Sequence, residues 1–345
     1  MLVLHGHDRR RPQVPVPDLQ GYRRDQRQRK RTSRERDTGS QKEKITPGET
    51  DVDITSLFTQ FLSGLTYGTI LFLVAAGLSL IFGVMNILNF AHAALWLMGA
   101  YFSYTFWNLM QEHSFAFWLS IPLAGFAAAA VGWLMEVVLI KRIYKRELYE
   151  QLLITYSVAL ILSDTIKLTW GVTNKLIVRP EMLRKPVFIF GAPLDSYFIF
   201  VILAGAAVAI GLWWFLKYTR YGHIVKAAVY SREMVGALGI PIPQIDTWVF
   251  TLGIFLAGFA GGIQAPIGSI TLGMDTAIII QAFCVVVIGG FGSLMGTLVG
   301  SLIVGEVLSF TILFWPEGAM VLIFVITAAI LIVRPWGLFG TPMRT

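Results

Sequence analysis

The chain has 345 residues, of which 55% are hydrophobic and 14% charged, a balance that excludes an ordinary soluble domain and describes a polytopic membrane protein. Its formal charge of +7 sits mainly at one end: residues 1–50 hold 13 Lys and Arg against 7 Asp and Glu, leaving 15 against 14 elsewhere. The apolar part therefore carries no basic face for a nucleic acid, and the single cysteine, Cys284, excludes disulfides within the chain and cysteine metal sites.

Taken in order, residues 1–50 are polar, rich in Arg (Arg23-Arg24, Arg27, Arg29-Lys30-Arg31) and almost free of aromatics. Such a stretch buries too little apolar surface to fold alone and lacks the apolar core of a secretory signal peptide. Two readings stand: a disordered basic extension, or a start assigned too far upstream, with the true start near Val52. Residues 51–345 are the folded part, expected to be all-α. Apolar runs predict spans near 57–82, 86–108, 115–140, 152–170, 197–216, 247–268, 277–290, 292–314 and 318–334, at about 20 residues per crossing. The run 277–314 reads equally as two spans or as a re-entrant element with one span. The expected architecture is a polytopic membrane helix bundle of about eight or nine spans, including broken or re-entrant segments.

Short basic loops orient the bundle. Lys141, Arg142, Lys145 and Arg146, then Lys217, Arg220, Lys226 and Arg232, and finally Arg334 and Arg344 are expected on the cytoplasmic side. Counting back from Lys141 puts residues 51–56 outside, a placement that an Arg-rich tail resists, and this favours the wrong-start reading. Residues 171–196, with Pro180, Pro186 and Pro193, form the longest external loop: a contact surface for an external partner, or a plain connection.

Three segments carry chemistry. Asn86, Asn89 and His92 interrupt an apolar run at membrane depth, where amides and an imidazole facing hydrocarbon cost several kcal/mol each; they must face protein, water or a solute. Gly289, Gly290 and Gly292 split a second apolar run, and paired interruptions in two halves of a chain point to a substrate path. The opposing reading is structural, with Asn and His capping a broken helix and the glycines allowing close packing. The third segment, 226–240, has helical periodicity at Ala227, Tyr230, Met234 and Ala237/Leu238, and Gly239 with Pro241 ends it. A short helix between two spans suits docking into a groove on another subunit. Asp164 and Lys167, three apart, are expected to pair locally. Glu136, close to a helix end and to Lys141, is expected to reach the membrane interface, and Glu306 faces either a pore or an interhelical hydrogen bond.

Asn86-Ile-Leu-Asn-Phe-Ala-His92, the Ala-Leu-Gly-Ile loop ending at Ile240, Val287-Ile-Gly-Gly-Phe-Gly-Ser-Leu-Met-Gly296 and Arg334-Pro-Trp-Gly-Leu-Phe-Gly340 occur in this order. Together they resemble the permease subunits of bacterial branched-chain amino acid ABC importers of the LivH type, over residues 54–342. Ala93 stands where that family usually has Gly, and Tyr230-Ser231 where it usually carries an acidic or amide pair. The resemblance implies a multi-pass permease domain over 51–345 in the bacterial inner membrane. It also implies a second permease subunit, two cytoplasmic ATP-binding subunits and a periplasmic substrate-binding protein as partners. The translocation path is then Asn86, Asn89 and His92 with Gly289, Gly290 and Gly292. The ATPase-coupling helix is the segment carrying Lys226, Tyr230, Glu233, Met234, Leu238 and Gly239. The chain has no phosphate-binding G-x-x-x-x-G-K-[ST] loop, no H-E-x-x-H and no G-x-S-x-G, so no cofactor or catalytic residue is expected. The alternative is an ATP-independent secondary transporter or facilitator for a small polar solute, using Asp164, His92 or Glu306 as an ion site.

Overall fold

The computed structural model describes residues 54–144, 146–189 and 192–340, and both readings of residues 1–50 fall outside the described residues. The first helix, α1 (Ile54–Met85), is 32 residues long, about 48 Å at 1.5 Å per residue. It is the most enclosed of the seven span-length helices, with buried residues along nearly its whole second half. After it come α2 (Ala91–Leu109), α3 (Ala116–Met135, extended through a wide turn to Ile143), α4 (Leu148–Trp170) and α5 (Ser196–Tyr218). Two short helices follow, α6 (Arg220–Tyr230) and α7 (Arg232–Ala237), then α8 (Ile242–Gln264), α9 (Met274–Gly289), α10 (Leu294–Phe314) and α11 (Ala319–Val333). A small antiparallel hairpin, β1 (Pro186–Ile189) and β2 (Ala192–Asp195), precedes α5.

Seven of the described helices are long and apolar enough to cross a membrane, so the chain is a multi-pass membrane protein. The other two segments of the expected set are α2, whose 19 residues include His92, Ser103, Thr105 and Asn108, and α9, which has only 16. At about 24 Å, α9 falls short of a hydrocarbon core of about 30 Å. The run 277–314 thus resolves into one short and one full helix.

Close packing of small residues holds the bundle, as expected where lipid removes the hydrophobic drive between helices. Helix α10 lies on α1, where a Cβ at Gly305 would sit 2.5 Å from the Gly64 carbonyl oxygen. Helix α8 lies on α1 and α2, where a Cβ at Gly77 would sit 2.3 Å from the Gly253 carbonyl oxygen.

One end of the bundle gathers the end of α1, the α9–α10 turn, α6 and α7, and the chain after α11. At the opposite end, the Trp170 indole donates to Thr105 Oγ1 at 2.7 Å, and Lys175 and Ile270 exchange backbone hydrogen bonds of 3.1 and 2.8 Å. Arg179 there donates to the Pro266 carbonyl at 2.6 Å and pairs with Asp195.

Two expectations about buried charge are corrected. Asp164 and Lys167 are both exposed on α4, and no ion pair joins them among the described residues. Glu136, the first residue of the wide turn Glu136–Ile140, is fully buried rather than interfacial. Lys141 Nζ lies 3.6 Å from it, and the Tyr144 hydroxyl donates to it. Burial and then the Glu136 carboxylate push the Tyr144 phenol well above its ordinary pKa, which keeps that donor protonated.

Candidate functional site

Helix α1 stops because Asn86 takes φ +55, a left-handed conformation that Asn tolerates better than other side-chain-bearing residues. Its amide makes the last helical bond, to Phe82 O at 2.8 Å. Residues 86–89 then run without helix back along α1, and backbone of this kind survives at membrane depth only when protein or water satisfies it. Here protein does: Thr155 Oγ1 of α4 donates to Leu88 O at 3.2 Å. Asn89 restarts the helix by accepting from the Ala91 amide at 3.1 Å through Oδ1. His92 Nε2 reaches Val74 O of α1 at 3.0 Å.

The three expected path residues therefore differ. Asn86 is exposed, whereas Asn89 and His92 are fully buried. Asn89 Nδ2, His92 Nδ1 and Trp96 Nε1 have no hydrogen-bond partner among the described residues. His92 and Trp96, four apart, share one face of α2, and Asn89 stands in the non-helical stretch just before it. The break leans on α4 and α9, with the Phe90 ring 6.4 Å from Tyr156 and 5.0 Å from Phe283.

The glycine turn lies beside the same helix end. A Cβ at Gly83 would sit 2.6 Å from Gly292 Cα, and the Phe82 and Phe291 rings are 4.2 Å apart. Gly289 packs on α10, where a Cβ would sit 2.4 Å from the Gly296 carbonyl oxygen. Gly290, at φ +96, packs on the loop after α11, and that loop bonds back through Leu338 N to Ile288 O at 2.8 Å and Phe339 N to Gly289 O at 3.1 Å. Of the glycines, Gly292 is the one brought next to the Asn86 break, while Gly289 and Gly290 face packed backbone.

The expected single helix over 226–240 is two helices. Ser231 is extended and its hydroxyl accepts from the Met234 amide at 3.3 Å, so it caps α7 instead of continuing α6. Gly239, at φ +79, ends α7 as the sequence predicts. Lys226, Tyr230, Glu233, Met234, Leu238 and Gly239 are all exposed, with Tyr230 at 78%, Met234 at 67% and Leu238 at 74%. The opposite faces hold the segment down. Val229 contacts the Gly83–Gly292 meeting point, and Val225, Ala228 and Val235 are buried. Arg232, which the sequence reading took only as a basic loop residue, and Asp246 on α8, which it passed over, complete the anchor. The available signal was a lone acidic residue early in an apolar helix.

Glu306 lies against Gly64 of α1, and neither carboxylate oxygen has a hydrogen-bond partner among the described residues, so of its two readings the interhelical hydrogen bond is not made there. An apolar groove of about 880 Å³ runs between α3, α5, α6 and α8, lined by Phe126, Phe215, Ile224, Trp248 and Phe255 among others. None of the expected path residues lines it.

A bundle of span-length helices whose first helix ends in a non-helical break, with a glycine turn against the break and an exposed two-helix segment anchored to both, is the architecture of a membrane transport subunit. The sequence comparisons narrow that class. The family described as "Branched-chain amino acid transport system / permease component" matches residues 60–331, and the chain belongs to it. It is 26% identical to the high-affinity branched-chain amino acid transport system permease protein LivH of Salmonella typhimurium, over 82% of this chain and 95% of that protein. It is 28% identical to the corresponding BraD of Pseudomonas aeruginosa, over the same 82% and 95%. A probable LivH permease of Methanocaldococcus jannaschii is 26% identical over 81% of this chain and 91% of its own length. No solved structure matches. The chain is thus the permease component of an importer and works with other components of such a system.

Proposed function

We propose that the chain supplies one half of the translocation path of an ATP-driven importer for branched-chain or related amino acids in a bacterial inner membrane. A second permease subunit completes the path. Two cytoplasmic ATP-binding subunits drive it, and a periplasmic binding protein delivers the solute. ATP is hydrolysed on the partners.

The observation that carries this reading is the pair α6–α7. Its large apolar side chains Tyr230, Met234 and Leu238 are exposed, and its buried side touches the end of the broken helix and the glycine turn through Val229. An exposed apolar ridge beside charged Lys226 and Glu233 suits a helix-in-groove contact, and its anchor gives a docked partner mechanical access to the path. Within the path, Asn86 is open to a solute and offers a donor and an acceptor without fixed charge. Asn89 and His92 shape the break, and Gly289, Gly290 and Gly292 let it lean on the α9–α10 turn.

The test is ATP hydrolysis by the complex of both permeases, the ATP-binding subunits and the binding protein, with and without Met234→Arg in this chain. Ligand-loaded binding protein stimulates the intact complex, and Met234→Arg abolishes that stimulation while folded permease persists. Uptake by this chain without any ATP-binding partner would replace the importer with a facilitator.

A further inference from the structure

We infer that Arg232 is a positioning residue that converts movement of α7 into movement of the break after α1. The inference rests on the reading of α6–α7 as the coupling segment. Arg232 and Glu233 are adjacent but face opposite ways. Glu233 is exposed, whereas the Arg232 guanidinium turns inward and holds two groups at once. Its Nη1 donates to Val84 O at 3.0 Å and its Nη2 to Asp246 Oδ2 at 2.5 Å.

Val84 O is one of the last carbonyls of α1, which have no helical partner of their own because the helix ends at Met85. Two residues later stands Asn86 in its left-handed conformation. Asp246 is 1% exposed and is the fifth residue of α8. A single planar side chain thus joins α7, the end of α1 and the start of α8. The fixed fork of a guanidinium allows this, since it presents separate N–H groups to a carbonyl and a carboxylate, while a lysine ammonium acts as a point charge. Val229 wedges the neighbouring helix α6 against Gly83 and Gly292, so α6–α7 grips the broken helix at consecutive residues. A subunit that moves α7 therefore moves the end of α1. Without Arg232, α7 moves and the path does not follow.

The experiment measures ATP hydrolysis and solute uptake in the same vesicles, using the full complex with Arg232→Gln, Arg232→Lys or Asp246→Asn in this chain. With Arg232→Gln the ATP-binding subunits still co-purify and hydrolysis continues, while uptake per ATP falls about tenfold or more, as loss of one partner of a buried hydrogen-bonded charge pair implies. Arg232→Lys keeps the charge opposite Asp246 and the fold but loses the two-group grip, and its uptake per ATP falls by a smaller factor. Unchanged uptake per ATP in Arg232→Lys together with either other variant overturns the inference. A fall of hydrolysis and uptake in proportion, at unaltered co-purification, also overturns it. Failure of the coupling-segment reading is distinguishable, because it would leave stimulation intact in Met234→Arg.

Discussion

At the scale of single residues, Asn86 has a backbone role, and the chemical role proposed for it separates from that by substitution. Its φ of +55 costs an ordinary side chain roughly 1–2 kcal/mol and glycine almost nothing. Asn86→Ala is therefore expected to lower stability by about 1 kcal/mol, read as a lower thermal midpoint of the detergent-solubilised protein, whereas Asn86→Gly leaves it unchanged. If Asn86 also meets the solute, Asn86→Gly raises the KM for uptake at unaltered stability; an unchanged KM confines Asn86 to its backbone role. Gly289 makes the complementary case. A Cβ there would sit 2.4 Å from Gly296 backbone atoms, which have no flexible end to swing away. Gly289→Ala must push α9 from α10 and is expected to cost about 1–3 kcal/mol. Gly268, exposed with no heavy atom within 4 Å of an added Cβ, is the control, and Gly268→Ala should leave the midpoint where it is.

At the scale of elements, the spans were legible because apolar length is what a bilayer demands of a helix, and polar residues such as Asn86 and His92 inside such a run mark a break. The packing of the break was not legible. Nothing local says that His92 reaches Val74, eighteen residues back, or that the glycine turn closes on Trp336–Gly340. The division of 226–240 into α6 and α7 was half legible. A serine followed two residues later by Glu233 is a helix-start pattern, since the hydroxyl satisfies an orphan amide and the acid favours the helix N-terminus. Continuous periodicity through Tyr230 and Met234 hid it. The inward turn of Arg232 was not legible at all, because its partner Asp246 lies fourteen residues on, beyond Pro241 and Pro243. The cap carries its own prediction. Ser231→Ala removes the bond to the Met234 amide and costs about 1 kcal/mol. A six-residue helix cannot offset that from its own propensity, so amide exchange should quicken across α7 and hardly change in α8.

At the scale of the whole molecule, the helix ends impose a parity that fixes which loops share a side. The end of α1, the α9–α10 turn, α6–α7 and the loop after Arg334 meet at one end through contacts already described, and the α3 terminus joins them there, since Lys141 shares a pocket with Pro243 and Gln244 at the start of α8. That end carries Arg142, Arg146, Lys217, Arg220 and Lys226 as well, all exposed. The other end carries fewer basic residues, and one of these, Arg179, is paired with Asp195. Excess Lys and Arg in short loops marks the cytoplasmic side, and by that rule α6–α7 is expected to face the compartment that holds ATP. The parity works only if both short helices count. Lys175 and Lys226, separated by α5, stand on opposite sides, and with α9 crossing Arg334 shares the side of Lys226. If α9 were a re-entrant loop that returned to its own side, Arg334 would change sides relative to Lys226. Cysteine labelling decides between these, because the one native thiol, Cys284, is buried and contributes little background. Lys175→Cys should react with an impermeant maleimide only from outside intact cells, and Lys226→Cys and Arg334→Cys only after the membrane is opened. Labelling of Arg334→Cys from outside would remove one crossing and, with it, the shared end on which α6–α7 reaches the path.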